Sequence, residues 1–196
     1  MKARLPLFLT AVWLMLVISG MGYLLIHDFT PGKESRFTPQ FWPGGMMRNV
    51  DRPTLVMFAH PKCPCTRASI DELAVLMARS QGLVDARVIF FRPKGIDESW
   101  TRTDLWQSAA AIPGVSVQSD EDGRLAREFH ATASGHVVLY DTQGQLVFSG
   151  GITESRGHSG DNVGLVAIVD ILHHRPASAT RTPTFGCALN SPARTL

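Results

Sequence analysis

Two cysteines separated by one proline, Cys63-Pro64-Cys65, are the residues whose types and spacing point most directly to chemistry in this chain. A protonated thiol is inert; the thiolate is a nucleophile and a soft metal ligand, so the question is what would deprotonate one here. The run Thr54 to Ala59 (TLVMFA) reads as a buried strand. Beyond the cysteines, TRASIDELAVLMARS places Ile70, Leu73, Ala74 and Met77 at i, i+3, i+4 and i+7, one face of a helix. HPKCPCT is therefore a strand-to-helix junction. Proline suits the first helical position because its missing N–H would have had no partner there, which puts Cys63 near the N-cap and Cys65 in the first turn. Unpaired N–H groups and the positive end of the helix dipole stabilise a thiolate at that place, and His60 and Lys62 stand ready to add positive charge. The expectation is a lowered thiol pKa, with Cys63, nearer the exposed cap, as the nucleophile. The bland alternative is a pair of ordinary buried cysteines.

The elements that would hold this junction continue along the chain. Arg87 to Arg92 (RVIFFR) reads as a second apolar strand, and Thr103 to Ala111 as a helix capped by Thr103 and broken by Ile112-Pro113-Gly114. Val115 to Gln118 is a short strand and Leu125 to His130 a short helix. His136 to Asp141 and Gln145 to Ser149 flank Thr142-Gln143-Gly144, a hairpin signal. The glycine-rich GGITESRGHSGDNVG then leads into a last helix at about Asn162 to His173, for which Asp161 is a good N-cap. Strands alternating with helices imply parallel units, and the closing hairpin adds an antiparallel edge, giving an α/β fold with a mixed sheet covered on both faces. Chemistry in such sheets sits where strands end and helices begin.

Composition limits the alternatives. The chain has 196 residues, 44% apolar and 18% charged, which suffices for one packed domain and argues against a disordered chain or a coiled coil. The formal charge of +2 is accounted for by Lys2 and Arg4, leaving the rest balanced and without an electrostatic case for nucleic acid. Residues 5 to 26 form an apolar, charge-free run long enough to span a bilayer, and no small-x-small exit follows it. Residues 1 to 27 are accordingly expected to be a cytoplasmic stub and an uncleaved signal anchor; Lys2 and Arg4 favour the cytoplasm, so the remainder lies outside it. Residues 28 to 52, with three prolines and three glycines, read as a tether.

From residue 53 onward the quoted segments resemble a known family. LVMFAHPKCPC is similar to the active-site junction of the thioredoxin-like superfamily, in which an apolar strand, two cysteines and a helix follow one another. VSVQSDEDGRLAREFHATASGHVVLYDTQGQLVFSGG resembles the downstream half of membrane-anchored TlpA/ResA-type extracytoplasmic thioredoxins, and the RedB-like group within the superfamily is a further resemblance. The resemblance implies a thioredoxin-like domain over residues 53 to 175, a C-terminal tail over 176 to 196, a thiol-disulfide oxidoreductase activity needing no cofactor, and a redox partner protein or thiol substrate. Two departures stand out. The spacing is C-P-C, and residues two apart on a helix point to nearly opposite sides, so a Cys63–Cys65 disulfide would require distortion. The family's cis-proline, which borders the thiols and helps hold a polypeptide, is replaced by Thr132-Ala133-Ser134-Gly135-His136.

Other residues are candidates to tune or complete the site. Losing the proline at Gly135 leaves room for an imidazole, so His136, with Cys63 and Cys65, forms an alternative soft site for copper or zinc, with His60 and His158 as further donors. Sco-type copper-delivery proteins of the superfamily combine a cysteine pair with a later histidine, at wider spacing. Arg156 and His158, on a loop that borders the cysteines in thioredoxins, are placed to contact substrate or a thiolate; the alternative is a plain loop and cap. A thiol peroxidase reading would draw on Thr66 and Arg67, at unfamiliar spacing. Cys187 lies in the tail between Phe185 and Leu189 and is the only other thiol able to resolve a mixed disulfide at Cys63 or Cys65; the alternative is a free tail cysteine.

Overall fold

The computed structural model describes residues 4–32 and 37–189. Lys2, part of the tether and the end of the tail lie outside them. The chain opens with α1 (Arg4–Asp28), a helix of 25 residues. Its 23-residue stretch Pro6–Asp28 is long and apolar enough to cross a membrane. At about 1.5 Å per residue a helix of this length exceeds the roughly 30 Å of a bilayer core.

The body is a five-stranded sheet in the order β3-β2-β1-β4-β5. β1 (Thr54–Ala59) lies at its centre, parallel to β2 (Asp85–Arg92) and antiparallel to β4 (His136–Tyr140). β3 (Val115–Glu121) pairs parallel to β2, and β5 (Leu146–Gly150) closes the hairpin with β4. Alternation along the strands divides the core in two. Leu55, Met57 and Val137 face one way, against α2 (Cys65–Arg79), α3 (Asp104–Ala110) and α5 (Val163–Leu172). Val56, Phe58 and Val138 face the other way, against α4 (Arg124–Glu128) and the side chains of Trp42 and Leu189. The mixed sheet flanked by helices is the architecture expected from the strand and helix pattern.

Several boundaries differ for identifiable reasons. β3 runs on to Glu121 because its backbone keeps pairing with β2 although its side chains turn polar. Asp120 there is buried, and its carboxylate accepts from Leu125 N and Ala126 N at 2.9 Å each, capping α4 from a distance. The cap of α5 is Asn162 rather than Asp161; its side chain accepts from Leu165 N at 2.7 Å. Thr103 stands at the start of α3, but its hydroxyl donates to Pro61 O instead of capping the helix.

Both ends of the domain are held against its body. From Thr38 the expected tether is docked rather than free. Thr38 is buried with its hydroxyl 2.7 Å from that of Ser149, Trp42 sits edge-on to Phe129 and Tyr140, and Tyr140 donates to Pro39 O. The tail is docked as well. Arg181 bridges to Ser149 in parallel at the edge of β5, and Ala188 bridges antiparallel to Ala133. Phe185 and Leu189 are both buried.

Candidate active site

The site is built where β1 ends, α2 begins, and the loop before β4 and the tail meet. Pro64 has helical angles (φ −62°, ψ −30°) and no side chain caps the helix. Thr66 N donates to Cys63 O and Arg67 N to Pro64 O, so the first turn is tightened and Cys63 stands just before the helix proper. Cys63 therefore lies outside the helix, so the rule that residues two apart on a helix point to opposite sides does not govern this pair.

The tail supplies the third thiol. Cys187 Sγ lies 2.9 Å from Cys63 Sγ, beyond the about 2.05 Å of a disulfide and within hydrogen-bonding distance. All three cysteines are free. The neighbouring Cys187 thiol first, and then the nearby Cys65 and Thr66, hold the Cys63 thiol well below the ordinary range and outweigh its burial. Cys187 is pushed far up by the same pairing, so it keeps its proton. For Cys65 the bond to Cys187 pulls down, while the bond to Cys63, burial and the charge on Cys63 push up and prevail; Arg156 offsets part of this. The arrangement is a Cys63 thiol with a lowered pKa beside the Cys187 thiol.

Backbone pairing puts Cys187 there. Ser134 N donates to Cys187 O at 2.8 Å, and Leu189 N donates to Thr132 O at 3.0 Å. Gly186 passes so close to this loop that a Cβ would lie 1.9 Å from Ser134 O. Gly135, just before β4, has φ +85° and would bring a Cβ within 2.7 Å of Ser69 Oγ; its N–H donates to Phe58 O. Ser134 Oγ accepts from His60 N at 2.8 Å and lies 2.7 Å from Thr66 Oγ1, tying β1, α2 and the loop together. The described peptide bonds include no cis bond.

The expected tuning residues divide. His60 was expected to add positive charge beside the thiols; it is instead buried, stacked on Phe91 and edge-on to Trp100. Burial lowers its pKa from 6.5, so it is neutral at pH 7, and its Nδ1 accepts from Lys62 N. The Lys62 ammonium lies 4.7 Å from the centre of the Trp100 ring, a cation-π contact. Arg156 does act on a thiol, Cys65, while its Nε donates to Thr30 O and its N–H to Asp28 O, joining the loop to the chain leaving α1. His158 stays exposed, its Nδ1 on Arg156 O.

His136 corrects the alternative metal site. It is buried, with Nε2 3.3 Å from Ser149 Oγ and Nδ1 3.3 Å from Thr184 Oγ1, so both ring nitrogens are engaged. Burial, helped by Arg181, lowers its pKa to about 4. Among the described residues no three His, Cys, Asp or Glu side chains gather as a metal would require, so Cys63, Cys65 and His136 do not form the expected set. Ser134, Thr184 and the buried Glu72, which accepts from Gly160 N and Asn162 Nδ2 and holds the glycine-rich loop on α2, were missed as site-builders. Small hydroxyl residues in loops carry no distinguishing pattern; only the stretch around Ser134 had drawn notice, for its missing proline.

No family model and no curated protein matches the chain. Among solved structures it is similar to an uncharacterized conserved protein from Geobacillus kaustophilus, at TM-score 0.58 and 19% identity, covering 85% of this chain and 95% of that one. It is similar also to a hypothetical protein from Sinorhizobium meliloti, at TM-score 0.56 and 20% identity over 84% and 96%. A secreted Mycobacterium tuberculosis disulfide oxidoreductase homologous to E. coli DsbE aligns at TM-score 0.40 and 18% identity over 57% and 80%. Such identities speak to fold alone. The fold is a mixed five-stranded sheet flanked by helices, and an apolar helix precedes it.

Proposed function

We propose that the protein is a membrane-anchored thiol-disulfide oxidoreductase whose domain faces away from the cytoplasm, in the manner of TlpA/ResA-type thioredoxins. The observation that carries this reading is the thiol pair at the start of α2, where Cys63 Sγ lies 2.9 Å from Cys187 Sγ and its pKa is lowered by that neighbour. A thiolate in contact with a second cysteine needs only oxidation to close a disulfide, and thiolate character sets its exchange rate. α1 supplies the anchor, and the charges at Lys2 and Arg4 supply its direction. Partners are redox proteins or thiol substrates, and the chemistry requires no cofactor.

Ultraviolet thiolate absorbance, which needs no access to the sulfur, and peptide mapping test the reading. In the reduced full chain, against Cys63→Ser, one thiolate should persist far below the reference thiol pKa of about 8.5. Air-oxidised protein should yield a Cys63–Cys187 peptide with Cys65 free. No such thiolate, with no disulfide formed by oxidised glutathione, would refute it.

A further inference from the structure

We propose that exchange with a partner occurs at the sulfur of Cys187 and not at that of Cys63: the tail cysteine carries the mixed disulfide, and Cys63 is the thiolate that leaves or returns. This inference rests on the oxidoreductase reading and adds the order in which the sulfurs act.

Access and seating carry it. Cys63 is 1% exposed, whereas Cys187 is exposed. The tail that covers Cys63 is fixed on both sides of Cys187: the Ser134 N–H holds the Cys187 carbonyl, Thr132 O receives Leu189 N–H, and Phe185 and Leu189 are buried anchors. Gly32 N donates to Thr184 O, so the chain leaving α1 fastens the tail from the other side. Exchange depends on which sulfur an attacking thiolate can reach and on how well the departing sulfur bears charge. With the tail seated, the reachable sulfur is Cys187, and the sulfur prepared to bear charge is Cys63.

Starting from a Cys63–Cys187 disulfide, a partner thiolate attacks Cys187 Sγ. The new partner–Cys187 S–S bond forms, the Cys187–Cys63 bond breaks, and its electron pair stays on Cys63. The partner's second thiol loses its proton, attacks the partner sulfur of the mixed disulfide and expels Cys187, which takes up a proton. The partner dithiol has then lost two electrons to the pair. In reverse, with a disulfide-bearing partner as oxidant, Cys187 passes its proton to the Cys63 sulfur 2.9 Å away as it attacks that disulfide and expels one partner thiolate; that thiolate takes the proton from Cys63, which then attacks Cys187 Sγ and expels the second partner thiolate. Cys65 takes no part in the exchange.

The test uses the full chain in detergent with Cys65→Ser, which blocks internal shuffling. Oxidised glutathione closes the Cys63–Cys187 bond, excess is removed, a brief pulse of reduced glutathione is given, and acid-quenched peptides are mapped. The glutathione adduct should lie on Cys187 at least about tenfold over Cys63. An adduct mainly on Cys63, or evenly divided, overturns the proposal while leaving the oxidoreductase reading intact. Adding Leu189→Ala, which loosens the tail, should shift the adduct toward Cys63; an unmoved distribution shows that tail seating does not direct the exchange and also overturns it. A wild-type chain that exchanges with neither form of glutathione overturns the oxidoreductase reading and this proposal together.

Discussion

Protonation of His136 should set the acid limit of the domain, and its size follows from the site. The imidazole is buried, and its pKa falls from 6.5 to about 4 in the folded chain. Between those two values the unfolded chain binds a proton that the folded chain refuses, so stability rises with pH and is lost on acidification. One pKa unit corresponds to about 1.4 kcal/mol, so the window is worth about 3 kcal/mol. That is a large part of the roughly 5–15 kcal/mol by which domains are stable. The contribution is complete above pH 6.5 and gone at about pH 4. His60, also lowered, titrates in the same sense, and Asp120, raised by burial, in the opposite one, so the His136 share must be isolated by difference. Urea unfolding of wild type and of His136→Gln across this window does so: the variant carries a constant penalty, and only the slope of the difference counts. With urea slopes of about 1–3 kcal/mol per molar, the wild-type midpoint should fall by about 1 M or more relative to the variant. A difference that stays flat, or grows in the other direction, would refute the assignment of a buried neutral imidazole holding Ser149 and Thr184.

Three further outcomes are expected. Leu189→Ala should weaken tail docking by at least about 2 kcal/mol, which is about thirtyfold, and in a glutathione buffer should move disulfide from Cys63–Cys187 toward Cys63–Cys65; an unchanged partition in peptide maps counts against tail docking as its determinant. Gly135→Ala should cost about 1–3 kcal/mol in thermal unfolding, because alanine must accept φ +85° and a contact with Ser69, and a neutral result contradicts that geometry. A periplasmic-type reporter fused after residue 196 should be active with the protein retained by membranes at high salt, whereas a soluble mature chain starting near residue 27 would remove the anchor.

Short apolar runs bounded by turn signals were enough to read the strands at Thr54–Ala59 and His136–Tyr140, because burial on both faces of a sheet needs continuous apolar residues. Docking of the two ends was not legible in the same way. Thr38, Trp42 and residues 181–189 attach largely through backbone hydrogen bonds and single apolar anchors far from their partners in sequence. Composition reports such segments as polar and proline-bearing; the one visible clue was the pair Phe185 and Leu189 flanking a cysteine.

The site shows the same division between what type reveals and what burial decides. Cysteine type and helix start pointed to a thiolate, but the charge beside it was misassigned, because a histidine next to a strand end is a cation only if water reaches it. His60 is buried against Phe91 and Trp100, and the Lys62 ammonium sits over Trp100. The group that reaches Cys63 is uncharged, the Cys187 thiol 2.9 Å away. A cation would stabilise this thiolate whether or not the tail was present. A thiol donor on the tail does so only while the tail is seated and Cys187 is reduced, which makes the charge on Cys63 conditional on the segment that covers it.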